Sequence, residues 1–219
     1  MKARFAALFA GLILCADPGK GALLTQTLGD QDFANGDIVG TATFTGANAG
    51  DPAPFNQFIG SDVSGPNFSA RWTFNSYGPV VLPIVSASLL IASYEFDTTN
   101  TSLGHVASFT MNGIDLAAVL NAAFNADPNL ASSEIRWYTI SLPSTTFTQL
   151  ASGTATFSLT LQNGRGVLGD TTFNGAGMDF STLTLDTEAQ TAVPEPSTVF
   201  GAIGALAAAV LISRRKRAA

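Results

Sequence analysis

The stretch Phe68-Ser69-Ala70-Arg71-Trp72-Thr73-Phe74 decides the fold. Apolar residues fall at every second position, and Ser, Arg and Thr fill the places between. Successive side chains of a strand point to opposite faces, so this alternation describes a strand with one buried face, Trp72 included. Thr154-Ala155-Thr156-Phe157-Ser158-Leu159-Thr160-Leu161 repeats the pattern and places Ala155, Phe157, Leu159 and Leu161 inside. Weaker runs at Ile38 to Thr45, Ile84 to Phe96, Val106 to Met111, Ile135 to Leu142 and Phe180 to Leu185 supply further strands. Clusters of Gly, Asn, Asp and Pro separate them, such as Gly46 to Pro54 and Asn174 to Gly177, and these are loop chemistry. Asn163-Gly164-Arg165-Gly166 reads as a hairpin turn. One segment breaks the rhythm. After an Asn112-Gly113 turn, Ile114 to Phe124 carries Leu116, Val119, Leu120 and Ala123 at helical spacing, with Asp115 as N-cap and Asp127-Pro128 as the stop. A single short helix among about eight strands predicts an all-β fold: one β-sandwich of jelly-roll type, its helix closing one end. An immunoglobulin-like sandwich is the alternative.

The two ends of the chain follow different rules. Lys2 and Arg4 precede an apolar run from Phe5 to Ala16, the pattern of a signal peptide. Residues 1–22 are assigned to it, with cleavage after Ala16 or after Ala22. Cys15 falls in the discarded part, and Leu14 stands where lipid attachment would need a small residue. At the other end, Val193-Pro194-Glu195-Pro196 leads into an uncharged run from Val199 to Ile212 and then Arg214, Arg215, Lys216 and Arg217. The prolines hold the chain extended and display Glu195 on a stiff arm. As a transmembrane helix, the apolar run would span roughly 21 Å, against a hydrocarbon core of about 30 Å. That is short for a permanent anchor. The basic cluster acts as a stop signal on the cytoplasmic side and leaves everything before Pro194 outside.

In its Pro194-Glu195-Pro196 signature, short apolar helix and Arg-rich terminus, the tail resembles the PEP-CTERM sorting signal of Gram-negative bacteria. The resemblance covers residues 194–219. It implies recognition by an exosortase, a membrane-embedded cysteine transpeptidase-like enzyme, and removal of the tail during export. It also implies an inner-membrane intermediate held through the C-terminal helix, then delivery to the cell surface or extracellular matrix. Such proteins commonly accompany exopolysaccharide production and biofilm. The chain thus divides into a signal peptide at 1–22, an extracytoplasmic domain at 23–192 and a sorting segment at 193–219.

Removing both ends changes the charge. Between Leu23 and Ala192 the basic residues are Arg71, Arg136 and Arg165 against fourteen acids, a net charge of −11. Such a surface repels nucleic acid and anionic lipid as partners. It suits solubility outside the cell and cation binding. No cysteine lies in this span, so no disulfide supports the fold, and about 170 residues can bury a core without one.

Catalytic signals are few. His105 is the sole histidine, so a zinc site of His and Cys is excluded, as is any triad that does not use it. No phosphate-binding loop is present. Glu95, Asp97 and Glu134 are the acids from which a glycosidase pair, and so a secreted hydrolase, would be built. The domain is expected to be non-enzymatic, a structural or binding component of the surface or polysaccharide matrix. Carbohydrate binding is the alternative. With Ile135 and Trp137 pointing in, Tyr138 is the ring expected outside for a glycan contact. Calcium is the cofactor expected if any is bound. Asp170, Asn174 and Asp179 form the richest local oxygen set, in a glycine-rich loop. Asp30 and Asp32 join them if the first and last strands of the jelly roll are neighbours.

Overall fold

The computed structural model describes residues 21–96, 105–127, 133–165 and 171–188, and the folded unit within them runs from Ala22 to Glu188. Its strands are β1 (Leu23–Leu28), β2 (Phe58–Ile59), β3 (Ser69–Phe74), β4 (Ile84–Tyr94), β5 (Val106–Met111), β6 (Ile114–Asp115), β7 (Ile135–Ser141), β8 (Ala155–Leu161), β9 (Gly164–Arg165), β10 (Thr171–Thr172) and β11 (Ala176–Thr187). Its helices are α1 (Thr41–Ala47), α2 (Ala117–Ala126) and α3 (Phe147–Leu150). One sheet has the order β1-β11-β4-β7, with β2 paired to the start of β11. The other has the order β3-β8-β5-β6. All of these pairings are antiparallel, and successive long strands switch from sheet to sheet. This is the eight-strand jelly roll, the all-β sandwich that the alternating strands predict.

The alternation in β3 and β8 becomes the core. Phe68, Ala70, Trp72 and Phe74 are buried, and so are Ala155, Phe157, Leu159 and Leu161. Trp72 pairs with Phe157 in register, their rings lie 5.6 Å apart, and Phe109 from β5 extends the stack at 5.9 Å from Phe157. Stacked and edge-on aromatic contacts add to the burial of their area. Threonines fill the opposite face, where Thr73 bonds Thr156 at 2.9 Å and Ser69 bonds Thr160 at 3.0 Å. Leu89, Ile91, Leu183 and Leu185 meet this core from the facing sheet.

The hairpin between β5 and β6 turns on Asn112 (φ 49°) and Gly113 (φ 86°), the pair that a tight two-residue turn with two left-handed positions demands. The helix that follows starts later than its pattern suggests. Ile114 and Asp115 pair back onto β5, and α2 begins at Ala117, whose N–H donates to Asp115 Oδ1 at 2.9 Å. Leu116, Leu120 and Phe124, four residues apart, are buried, so α2 lays one stripe onto β5 and β7. His105 packs edge-on against Phe124, and its Nε2 lies 2.9 Å from Asn125 Oδ1.

Three local expectations change. Ile38 to Thr45, read as a strand, is largely the helix α1, with Ile38 kept only as an isolated bridge to Glu134. Its alternating threonines favour strand, but Phe44 decides the outcome: the helix seats that ring on Gly177 and stacks it 4.4 Å from Tyr94. Gly164-Arg165 is a short strand paired to β10 rather than the turn itself. The last strand starts at Ala176, earlier than Phe180, and β1 (LLTQTL) is a strand beyond those expected.

Candidate functional site

Two residues of β11 oppose one of β4. Met178 pairs with Ser93 and Ser181 with Ile91, so Asp179 and Phe180 share the single partner Ala92. This β-bulge shifts the alternation by one: Met178 faces the core before it, and Leu183 and Leu185 after it. Beyond the bulge β11 pairs with β1, ending at Leu28 opposite Ser181. Gly29 follows with φ 75°, and a Cβ there would lie 2.5 Å from the Asp179 carbonyl oxygen. Glycine alone permits both the left-handed turn and this close passage. The chain therefore delivers Asp30 and Asp32 directly beside the bulge. Asp51 arrives from the other side, after α1 and its terminal turn, and its Oδ2 accepts the Asp30 N–H at 3.3 Å.

Four carboxylates gather here. One oxygen each of Asp30, Asp32 and Asp51 lies within 4.8 Å of the others. Asp179 is 0% exposed, with the Phe33 N–H donating to its Oδ2 at 3.4 Å. Its Oδ1, closed off from solvent, has no hydrogen-bond partner. Burial raises the Asp179 pKa to about 7, and the charges of Asp32 and Asp51 add to the rise while the Phe33 and Asp32 N–H groups oppose it. Asp51 is raised as well, first by burial, and Asp32 by burial and then by Asp30.

The structure thus brings Asp30 and Asp32 to Asp179 and adds Asp51, which sequence reasoning left in a loop. Asn174 belongs to a different network. Its N–H donates to Asn67 Oδ1 at 3.0 Å, its Nδ2 to Gln162 O at 3.2 Å, and its carbonyl accepts the Phe68 N–H at 2.6 Å. It thereby ties β3 and β8 together. Asp170 lies outside the described residues. So do Asp97, Val193, Pro194, Glu195, Pro196, Arg214, Arg215, Lys216 and Arg217, with nearly all of the signal segment.

The expected glycan contact is corrected. Tyr138 is 2% exposed, its ring 4.4 Å from Phe124 under α2, so it belongs to the main core. Trp137 does share the opposite face with Ile135, but that face is covered too. Phe33, Phe44, Phe58 and Tyr94 pack there, and Trp137 meets Phe180 edge-on at 5.4 Å. The segment between β1 and β3 wraps the outside of this sheet, which period-two reasoning from β7 alone has no means of showing. Glu134, a candidate for a carboxylate pair, is bound to Arg136 at 2.9 Å, and Arg136 also reaches Asp127 at 3.4 Å.

A polar hollow of about 270 Å³ lies on the other sheet, lined by Arg71, Thr110, Asn112, Gly113, Thr156 and Ser158. None of its lining residues is aromatic. Among the described residues no helix is long and apolar enough to cross a membrane.

Comparison with known proteins bears on the tail. Residues 192–217 match the PEP-CTERM protein-sorting motif. The PEP-CTERM match coincides with the segment whose prolines, apolar run and basic cluster suggested it. It implies that the chain is an exported protein sorted by an exosortase. For the jelly roll no curated protein and no solved structure matches.

Proposed function

We propose that this is a non-enzymatic component of the cell surface or extracellular matrix, associated with exopolysaccharide and released there by exosortase processing. The PEP-CTERM match at residues 192–217 carries this reading. The domain supports it in its construction. The space between the sheets is filled by side chains such as Trp72, Phe109 and Phe157, as in a packed structural module. Of the acids considered for hydrolysis, Glu134 is held by Arg136 and Asp97 lies outside the described residues. Replacing Pro194, Glu195 and Pro196 together with alanine tests the sorting step. The variant should accumulate as uncleaved precursor in the inner membrane; normal release to the surface would refute the role of the motif.

A second reading is carbohydrate recognition, and the hollow over β3, β8 and β5 favours it over the Trp137-Tyr138 pair. Its hydroxyls, the Asn112 amide and the Arg71 guanidinium suit a polar ligand held by hydrogen bonds without ring stacking. Binding of the matrix polysaccharide that is lost on Arg71→Ala would support it. Equal retention of both forms would remove it.

A further inference from the structure

We propose that the corner between β1 and the bulge of β11 is a calcium site, with Asp30, Asp32 and Asp51 as carboxylate ligands above the buried Asp179. The first observation is convergence. Three carboxylate oxygens from two separate segments lie within 4.8 Å of one another. At that distance they repel unless a cation lies among them. Among the described residues none does so: the ion pairs there join Arg136 to Asp127 and Glu134, not to these acids.

The second observation is independent of the cluster. Asp179 is fully buried beneath it, and its Oδ1 has no hydrogen bond. A buried carboxylate without a counter-charge is costly, and such a group either holds its proton or meets a cation. A divalent ion held by Asp32 and Asp51 would supply the counter-charge that this carboxylate lacks. Backbone also favours the arrangement: Gly29 and the bulge bring the Asp30 to Asp32 segment against Asp179, and Asp51 Oδ2 accepts the Asp30 N–H.

Ligand chemistry selects the ion. The set contains only hard oxygens, with no imidazole or thiolate, which disfavours zinc and copper. Calcium accepts six to eight oxygens in flexible geometry, and three or four carboxylates with carbonyls and water meet that requirement. Magnesium keeps most of its water and is bound by fewer carboxylates. The ion would tie the start of the chain to its last strand and so stabilise the closing edge of the jelly roll. This inference stands apart from the sorting reading, and either can fail without the other.

Thermal melting and calorimetric titration of the full chain in mild detergent test it, with calcium chloride, magnesium chloride, matched sodium chloride and chelator as the arms. Calcium at a hundredfold over its dissociation constant should raise Tm by about 5–10 °C. It should bind at one ion per chain, and magnesium and sodium should give clearly smaller shifts. Asp30→Asn with Asp51→Asn removes two ligands at exposed or half-exposed positions, so the fold should survive and the calcium shift should fall by more than half. Asp186→Asn, away from the corner, should leave the shift intact. A calcium shift no larger than that of magnesium overturns the proposal. So does a shift that persists in the double variant, or titration without a single site per chain.

Discussion

The interior of the sandwich and the corner beside the β11 bulge are built on opposite principles. Between the sheets, Trp72, Phe109, Phe157 and their aliphatic neighbours exclude water, and the polar partners of each strand point away. At the corner four acids crowd together, one of them wholly buried, and among the described residues no ion pair balances them. The interior gains from every group it buries, whereas the corner is strained by the groups it holds. The difference separates what makes this chain fold from what would hold the proposed calcium ion.

Truncation should therefore have opposite signs in the two regions. Phe157 contacts Trp72, Phe74 and Phe109, and Phe157→Ala should cost about 3–5 kcal/mol through lost burial and the cavity left behind. Chemical denaturation will measure it, and a loss below about 1 kcal/mol would mean that the stack is not the centre of the core. Gly29→Ala probes the junction between the regions. It adds a Cβ at φ 75° against the Asp179 carbonyl, and should cost about 2–3 kcal/mol. If it is neutral, the close passage of β1 over the bulge is wrong.

At the corner, Asp179→Asn in chelator should raise Tm by a few degrees. It removes a buried charge facing Asp32 and Asp51 while leaving an oxygen for the Phe33 N–H. Any fall in Tm there would contradict the picture of an uncompensated charge. A smaller effect comes from Tyr77, a half-buried ionisable group that does have a partner: its hydroxyl donates to Leu150 O at 3.0 Å. Burial raises its pKa from 10 to about 12. The neutral form is thus favoured in the folded state, so its contribution is complete below pH 10 and lost as pH rises through about 12. Tyr77→Phe should flatten that part of the pH–stability curve.

How legible each region was follows from sequence distance. The strands around Trp72 and Phe157 declare themselves within seven or eight residues, because period two is a local property. The Asn112-Gly113 turn is equally local, and so is the Leu116, Leu120, Phe124 stripe. The helix α1 was hidden because Thr41, Thr43 and Thr45 alternate like a strand, and only contact with Gly177 and Tyr94 overrides them. Asp51 was missed for a similar reason: nothing near it points to Asp179, which lies 128 positions away in the chain. Tyr138 was misplaced because both faces of its sheet are covered: its own side packs under α2 in the main core, and residues 33 to 58 cover the Trp137 side.

The tail is a third case, for its meaning rests in contiguous residues and requires no fold. Proline, glutamate and proline, the apolar run and the basic cluster were sufficient to indicate sorting, and the PEP-CTERM match spans the same stretch. The central claim is that this chain is exported and trimmed at that motif. Intact-mass measurement of the protein recovered from the cell surface tests it most directly. The account predicts a mature form without Val199 to Ala219; a surface form that retains the Arg214 to Arg217 cluster would contradict it.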